Sequence, residues 1–292
     1  MKTISFFSEK GGVGKSSFSI MYCSWLKKHG VKVALADFNH RIGRYREAEI
    51  RARENYIANN PEDDVSPFNL KDAWPIVDAW SKDIEPYRRE GLPQPHASWF
   101  KDQVRKGALA GYDVIVCDFP GSMSDGSFID MLSLKQLNLV VVPTEKDEMT
   151  LHSTLRLKDI LNKSNYNWCC FINKAQLGLK NFRNSYLRLG RKLKNSDVAM
   201  LPDIITYSER MTTIDKVDII RSTFGFPDFT KPEFNGLSDL GLENLFIDVT
   251  RELNKTADLP GTSGADLDFV KQLKKKDDGR WFKGSAYPQY EF

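Results

Sequence analysis

Residues 10–16, Lys-Gly-Gly-Val-Gly-Lys-Ser, have the types and spacing to hold a phosphate. They lie between a strand-like run, Thr3 to Phe7, and a helix-like run, Ser16 to His29. A glycine-rich turn at a helix N-terminus brings several backbone N–H groups to one point, where the helix also favours negative charge. Gly11, Gly12, Val13 and Gly14 form that cradle, Lys15 can reach the terminal phosphates of a nucleotide, and the Ser16 hydroxyl can ligate Mg²⁺. The usual phosphate-loop pattern has a glycine five residues before the Gly-Lys pair. Here Glu9 takes that place, and a second lysine, Lys10, stands at the front of the loop.

Three further segments could face the same point. The second strand-like run ends Ala36-Asp37-Phe38-Asn39-His40, and in doubly wound sheets ligands sit at the carboxyl ends of strands. A third run, Val114–Asp118, closes on an acidic residue followed by Phe-Pro-Gly, which fits a carboxylate holding Mg²⁺. Strands often end in Asp before a turn, so Asp118 gains weight from the phosphate loop about a hundred residues earlier. A fifth run ends Phe171-Ile172-Asn173-Lys174; the Asn173 carboxamide offers donor and acceptor to an adenine edge, or it caps a turn.

The elements that must position these residues follow from patterning. Short apolar runs alternate with longer amphipathic stretches, which predicts an α/β fold: a doubly wound, mostly parallel sheet with helices on both faces. Strands are predicted at Thr3–Phe7, Lys32–Asp37, Val114–Asp118, Leu139–Pro143, Trp168–Asn173 and Val198–Ile205. Helices are predicted over Ser16–His29, ended by Gly30, over Met149–Asn162, and along the stripe Leu242, Leu245, Phe246, Val249, Leu253, with Ser238 or Asp239 as its cap. Residues 41–105, polar and broken by six prolines, read as an elaboration of helices and loops over one end of the sheet. From about Thr256 the chain reads as a tail, extended or docked on the surface, after a domain of residues 1–255.

Composition is that of an ordinary globular chain: 292 residues, 41% hydrophobic, 28% charged, formal net charge +3. Such a charge does not by itself demand a nucleic-acid partner. No signal segment and no apolar stretch near 18 residues is present, and the four cysteines (Cys23, Cys117, Cys169, Cys170) lack metal-ligand spacing. Together these suit a reducing, cytoplasmic setting.

Taken together, the motifs resemble the ParA/MinD family of deviant phosphate-loop ATPases over roughly residues 1–255. The resemblance implies ATP and Mg²⁺ as ligands and an ATP-dependent homodimer in which Lys10 reaches the partner's nucleotide. It further implies α-phosphate contact by Ser17, the Mg²⁺ carboxylate at Asp118, adenine reading by Asn173, and a late strand and base-flanking loop at Leu201-Pro202-Asp203. One departure bears on mechanism. Family members usually end the second strand Asp-x-Asp, the second aspartate positioning the attacking water; here Asp37 matches the first and Asn39 holds the second position. An amide can orient water but cannot take its proton, a contribution of about 10²–10⁴-fold. Asn39 is therefore compatible with slow hydrolysis, with a binding switch of little turnover, or with a sequence altered to trap the ATP state. Asp37 is expected near Mg²⁺.

Residues 180–194 carry Lys180, Arg183, Arg188, Arg191, Lys192 and Lys194 with no acidic residue. On a helix Lys180, Arg183, Arg191 and Lys194 share a face that could meet DNA phosphates, or simply face water. Leu267, Phe269, Val270 and Leu273, followed by three lysines and later by Trp281-Phe282, suggest a membrane anchor as in the MinD branch, but Asp266, Asp268, Asp277 and Asp278 would oppose an anionic surface. The expected role is a nucleotide switch in partition or positioning of DNA or other cargo, with a ParB-like adaptor. The alternatives are a membrane-cycling spatial regulator and an ATP-dependent metabolic enzyme, the latter disfavoured by Lys10.

Overall fold

Strands that are apolar along their whole length need cover on both faces. The computed structural model, which describes residues 1–62, 74–79, 85–90, 95–121, 126–175, 180–206 and 242–275, supplies it. Seven strands form one sheet: β1 Lys2–Phe6, β2 Val33–Asp37, β3 Ile76–Asp78, β4 Val114–Asp118, β5 Leu139–Thr144, β6 Trp168–Ala175 and β7 Met200–Thr206. Their order is β3-β2-β4-β1-β5-β6-β7, and every pair is parallel. This is the doubly wound α/β architecture that the patterning predicts.

Alternate residues of each strand feed two separate cores. Val33, Leu35, Val114, Val116, Leu139, Val141, Cys169 and Phe171 face one side, and Ala34, Ala36, Ile115, Cys117, Val140, Val142, Cys170 and Ile172 face the other. The first side is covered by α1 (Lys15–Lys28) and by a C-terminal helix, Leu242–Lys255. The Leu242, Leu245, Phe246, Val249, Leu253 stripe is wholly buried there. Ser238 and Asp239, the predicted caps of that helix, lie outside the described residues. The second side is covered by residues of α4 (His96–Arg105), α5 (Ser127–Ser133), α6 (Glu148–Lys163) and α7 (Lys180–Asn195). All four cysteines are free and buried.

The segment 41–105 departs from expectation in one respect. Besides α2 (Ile42–Asn59), α3 (Glu85–Arg89) and α4 it contains β3, which extends the sheet beyond β2. Only three residues long, Ile76-Val77-Asp78 gives no periodic signal of its own and is recruited by pairing with β2. Trp74, just before it, is 2% exposed; its carbonyl accepts from Arg46 Nη2 at 2.7 Å, its indole stacks under that guanidinium, and its N–H donates to Ser24 at 3.0 Å. Arg46 is therefore buried in a packing role.

The chain after the C-terminal helix returns across the N-terminus. Leu259 N–H donates to the Met1 carbonyl at 2.9 Å, and the Met1 ammonium reaches Asp258 at 3.2 Å. Leu267 and Val270 are each 1% exposed, and Phe269 packs on Trp25 at 5.7 Å between centroids. The apolar residues that suggest a membrane anchor thus belong to the core around α1. Lys276 to Phe292, with the tail's aromatic residues, lie outside the described residues. Among the described residues no helix is long and apolar enough to cross a membrane.

Phe246 sits at the centre of this seam, fully buried, 5.3 Å from the Tyr22 ring and 6.0 Å from that of Trp25. Phe246→Ala is expected to cost about 3–5 kcal/mol in urea unfolding, because truncation removes its ring contacts with α1 and leaves a cavity. A loss under about 1 kcal/mol would show that the helix does not cap this face.

Candidate nucleotide-binding site

The phosphate loop joins β1, the central strand, to α1, and two devices hold it. Gly14 adopts φ 88°, and a Cβ there would come 3.2 Å from the Phe18 ring, so the tight turn into α1 requires glycine. From the end of β6, Asn173 Nδ2 donates to the Val13 carbonyl at 2.9 Å, and the side chain is 4% exposed. Asn173 therefore braces the loop. Gly11 and Gly12 are exposed, whereas Lys15 is buried and its ammonium donates to the Lys10 carbonyl at 2.8 Å. Burial pushes Lys15 below its ordinary pKa; the Asp118 charge opposes that and the Arg41 charge adds to it. Ser17 follows Ser16 in the first turn of α1, half-buried.

At the floor of the loop lies Asp118, fully buried at the end of β4. Ser16 Oγ donates to its Oδ2 at 2.8 Å, Asn39 Nδ2 approaches the same oxygen at 3.4 Å, and Ser19 Oγ reaches Oδ1 at 3.5 Å. Burial pushes the Asp118 carboxyl up to about 7, and the Asp37 charge adds to this against Ser16, Asn39 and Lys15. A buried carboxylate beside a hydroxyl, short of positive charge, is the oxygen donor set a hard cation prefers. The residues fit Mg²⁺, with Ser16 and Asp118 as its holders; when bound, the ion would neutralise phosphate charge.

Asp37 ends β2 beside Asp118 on β4. Its Oδ1 accepts the Asn39 N–H at 3.0 Å, and its Oδ2 accepts the N–H groups of Ile42 at 2.9 Å and Gly43 at 3.0 Å. Both oxygens shape the turn and the first turn of α2, a capping role. Gly121, three residues past Asp118, closes the other side: a Cβ there would lie 2.8 Å from Lys15 Nζ.

Lys10 is held within its own chain. Its ammonium meets Asp147 Oδ2 at 2.7 Å and Glu145 Oε2 at 3.4 Å, just beyond the end of β5. Burial works against the charge on Lys10, but the two carboxylates outweigh it and raise its pKa. Burial alone would raise Asp147 too; Lys10 and the Thr150 hydroxyl and N–H overcome that and hold it at about 2. Sequence reasoning missed these two acids, although a position just past a strand's carboxyl end was a usable signal.

Pro202 and Asp203 belong to β7 itself rather than to a loop, and Lys180 and Arg183 to α7; the side chains of these four lie outside what is described. Arg191 and Lys194 are exposed, opposite the buried Leu189 and Leu193.

A glycine turn between the central parallel strand and its helix, floored by a buried carboxylate on a serine hydroxyl, defines a phosphate-loop nucleotide-binding protein. The family model described as the CobQ/CobB/MinD/ParA nucleotide binding domain matches residues 4–224, and the chain belongs to that family. Among solved structures, MinD of Aquifex aeolicus is similar at 18% identity and TM-score 0.51, over 80% of this chain and 93% of that one. The pnob8 ParA structure aligns at 16% identity and TM-score 0.54, over 87% and 98%. A nucleotide-binding protein of Archaeoglobus fulgidus in complex with ADP aligns at 15% and 0.51, over 79% and 91%. At these identities the likeness is one of fold. No curated protein matches the chain in sequence.

The Lys10–Asp147 pair gives a pH prediction. Asp147 has a folded pKa of about 2, below its unfolded value of about 3.9, so its contribution is present above pH ~4 and lost as pH falls toward 2. Asp147→Asn should remove that part of the acid slope in thermal melting while changing stability at pH 7 by less than about 1 kcal/mol, since the pair is partly exposed. An unchanged slope between pH 2 and 4 would refute the pairing.

Proposed function

We propose that this chain binds ATP with Mg²⁺ and acts as a homodimerising nucleotide switch of the ParA/MinD kind in the partition or positioning of DNA or other cargo in the cytoplasm. The observation that carries this is the pairing of Lys15 inside the loop with Lys10 at its mouth, above the Ser16–Asp118 floor. ParA/MinD resemblance assigns Lys10 to the partner's nucleotide. For that it must leave Asp147 and Glu145, an exposed pairing worth at most about 1 kcal/mol. Charge-assisted bonds to a phosphate are worth about 1.5–3 kcal/mol each, so transfer to a nucleotide in trans is favourable. Met149, 77% exposed at the start of α6 beside this pair, gives the same rim an apolar contact.

Two neighbours support the ligand and partner classes: the A. fulgidus protein is in complex with ADP, and an A. aeolicus MinC:MinD complex aligns at 17% identity and TM-score 0.51 over 90% of this chain. Exposed Arg191 and Lys194 on an α7 without acidic residues suit non-specific DNA, with an adaptor of the ParB type as regulator. Burial of Leu267 and Val270 weighs against the membrane-cycling alternative, whose other residues, Trp281 and Phe282, lie outside the described residues. Asn39, bonded to Asp118, can position water and leaves its proton without an acceptor at that place.

Light scattering and a fluorescent-nucleotide titration test this together. Lys15→Ala should weaken Mg-ATP binding by about 10–100-fold, the loss of one charge-assisted bond. Lys10→Ala should bind ATP within about threefold of the parent but remain monomeric with ATP where the parent dimerises. An ATP-dependent dimer of Lys10→Ala would rule out the cross-dimer role.

A further inference from the structure

Lys10 belongs to the phosphate loop by its backbone and to the start of α6 by its side chain. Its carbonyl accepts the Lys15 ammonium at 2.8 Å inside the loop. Its own ammonium lies just beyond β5, 2.7 Å from Asp147 Oδ2 and 3.4 Å from Glu145 Oε2. The residue before it is tied to the same helix, Glu9 Oε1 standing 3.7 Å from Arg156 Nε on α6. The front of the loop is thus held against α6 by side chains of both signs.

Asp147 is built into its place. Its Oδ1 caps α6 by accepting the Thr150 N–H at 3.0 Å, and its Oδ2, the oxygen on Lys10, also accepts the Thr150 hydroxyl at 2.5 Å. Thr150 is fully buried, and its carbonyl accepts the Thr154 hydroxyl, itself 3.0 Å from that of Thr144 on β5. The acid is therefore fixed before Lys10 arrives, which removes its share of the side-chain entropy cost that makes most surface pairs weak. A capping role needs only Oδ1; the second oxygen, with Glu145 beside it, serves Lys10. Side-chain exposures of 31% for Lys10 and 37% for Asp147 leave the pair within reach of a second molecule without opening the core.

We propose that Asp147, backed by Glu145, is an intramolecular latch on Lys10 that sets how tightly two copies of this chain join around ATP. This rests on the dimer reading above and deepens it by giving that site a regulator. The acids and the partner's phosphates compete for one ammonium. An empty partner offers no anion in exchange, so the latch keeps Lys10 in its own chain. A nucleotide-loaded partner offers several phosphate oxygens, and charge-assisted bonds to them outweigh a partly exposed ion pair. The latch makes joining conditional on nucleotide, and it weakens the joined state by the strength of two released pairs, one per copy.

Light scattering against protein concentration, with and without Mg-ATP, on the full chain and its Asp147→Asn and Asp147→Ser variants tests this. Asn and Ser are both good helix caps, so α6 keeps its start while Lys10 loses its nearer anion. With Mg-ATP both variants should dimerise at about 3–20-fold lower concentration than the parent, the effect of one exposed pair lost in each of two protomers. Without nucleotide all three should stay monomeric. A variant dimer constant within about 1.5-fold of the parent's reduces Asp147 to a cap, and a weaker dimer shows the acid serving the assembled state. Either result overturns the latch while the nucleotide switch stands, as does a variant dimer that forms equally well without nucleotide. A parent that stays monomeric with Mg-ATP beside variants that dimerise supports the latch; if none of the three joins with Mg-ATP, the latch and the dimer reading fall together.

Discussion

The carboxylate of Asp118 is the point on which the site depends. It has no exposure to water, and donors from two elements converge on it: Ser16 and Ser19 from α1, and Asn39 from the loop after β2. A buried charge of this kind is costly unless surrounded by donors, and removing any donor leaves the rest with a larger penalty. Its pKa, driven up to about 7 by burial and by Asp37, records that the donors do not fully compensate it. On the proposed reading, a cation bound between Ser16 and Asp118 would meet that residual demand for positive charge.

The rest of the fold keeps this arrangement rigid. Asp118 ends the strand between β1 and β2, so the phosphate loop and the Asn39 loop emerge on either side of it by topology alone. Beneath the loops an aromatic layer locks the strand ends: Phe7 stacks on Phe128 at 3.6 Å between centroids, and Phe119 stacks on Phe38 at 4.6 Å. Asp37, committed to the N–H groups of Asn39, Ile42 and Gly43, fixes the direction in which Asn39 and His40 leave the sheet. Lys10, in contrast, is tethered at a half-open rim by Asp147 and Glu145. A rigid floor and a releasable rim are what a nucleotide switch requires.

Much of this was legible in the sequence. The five long apolar strands and the helices after the first and fifth of the sheet's strands stand where patterning puts them, because strands buried on both faces cannot hide their composition. The Lys10–Ser16 loop and Asp118 were readable because their chemistry depends on backbone conformation and strand position, both local. β3 was not, since three residues carry no period and owe their conformation to β2. The partners of Lys10 and of His40 were also invisible: Asp147 and Asp78 are distant in sequence and become neighbours only through strand order.

By itself, then, the sequence determined a parallel α/β sheet with a two-lysine phosphate loop and an acidic strand end, because these rest on residue type within a few positions. Tertiary structure decided what each polar group does there. It gave Asp37 the N–H groups of a helix start to cap and Asn173 the Val13 carbonyl to brace, and it set Asp78 on His40. The physical reason is that a carboxylate or amide takes its role from the partners within about 3 Å of it, and in a doubly wound sheet those partners come from strands far apart in the chain.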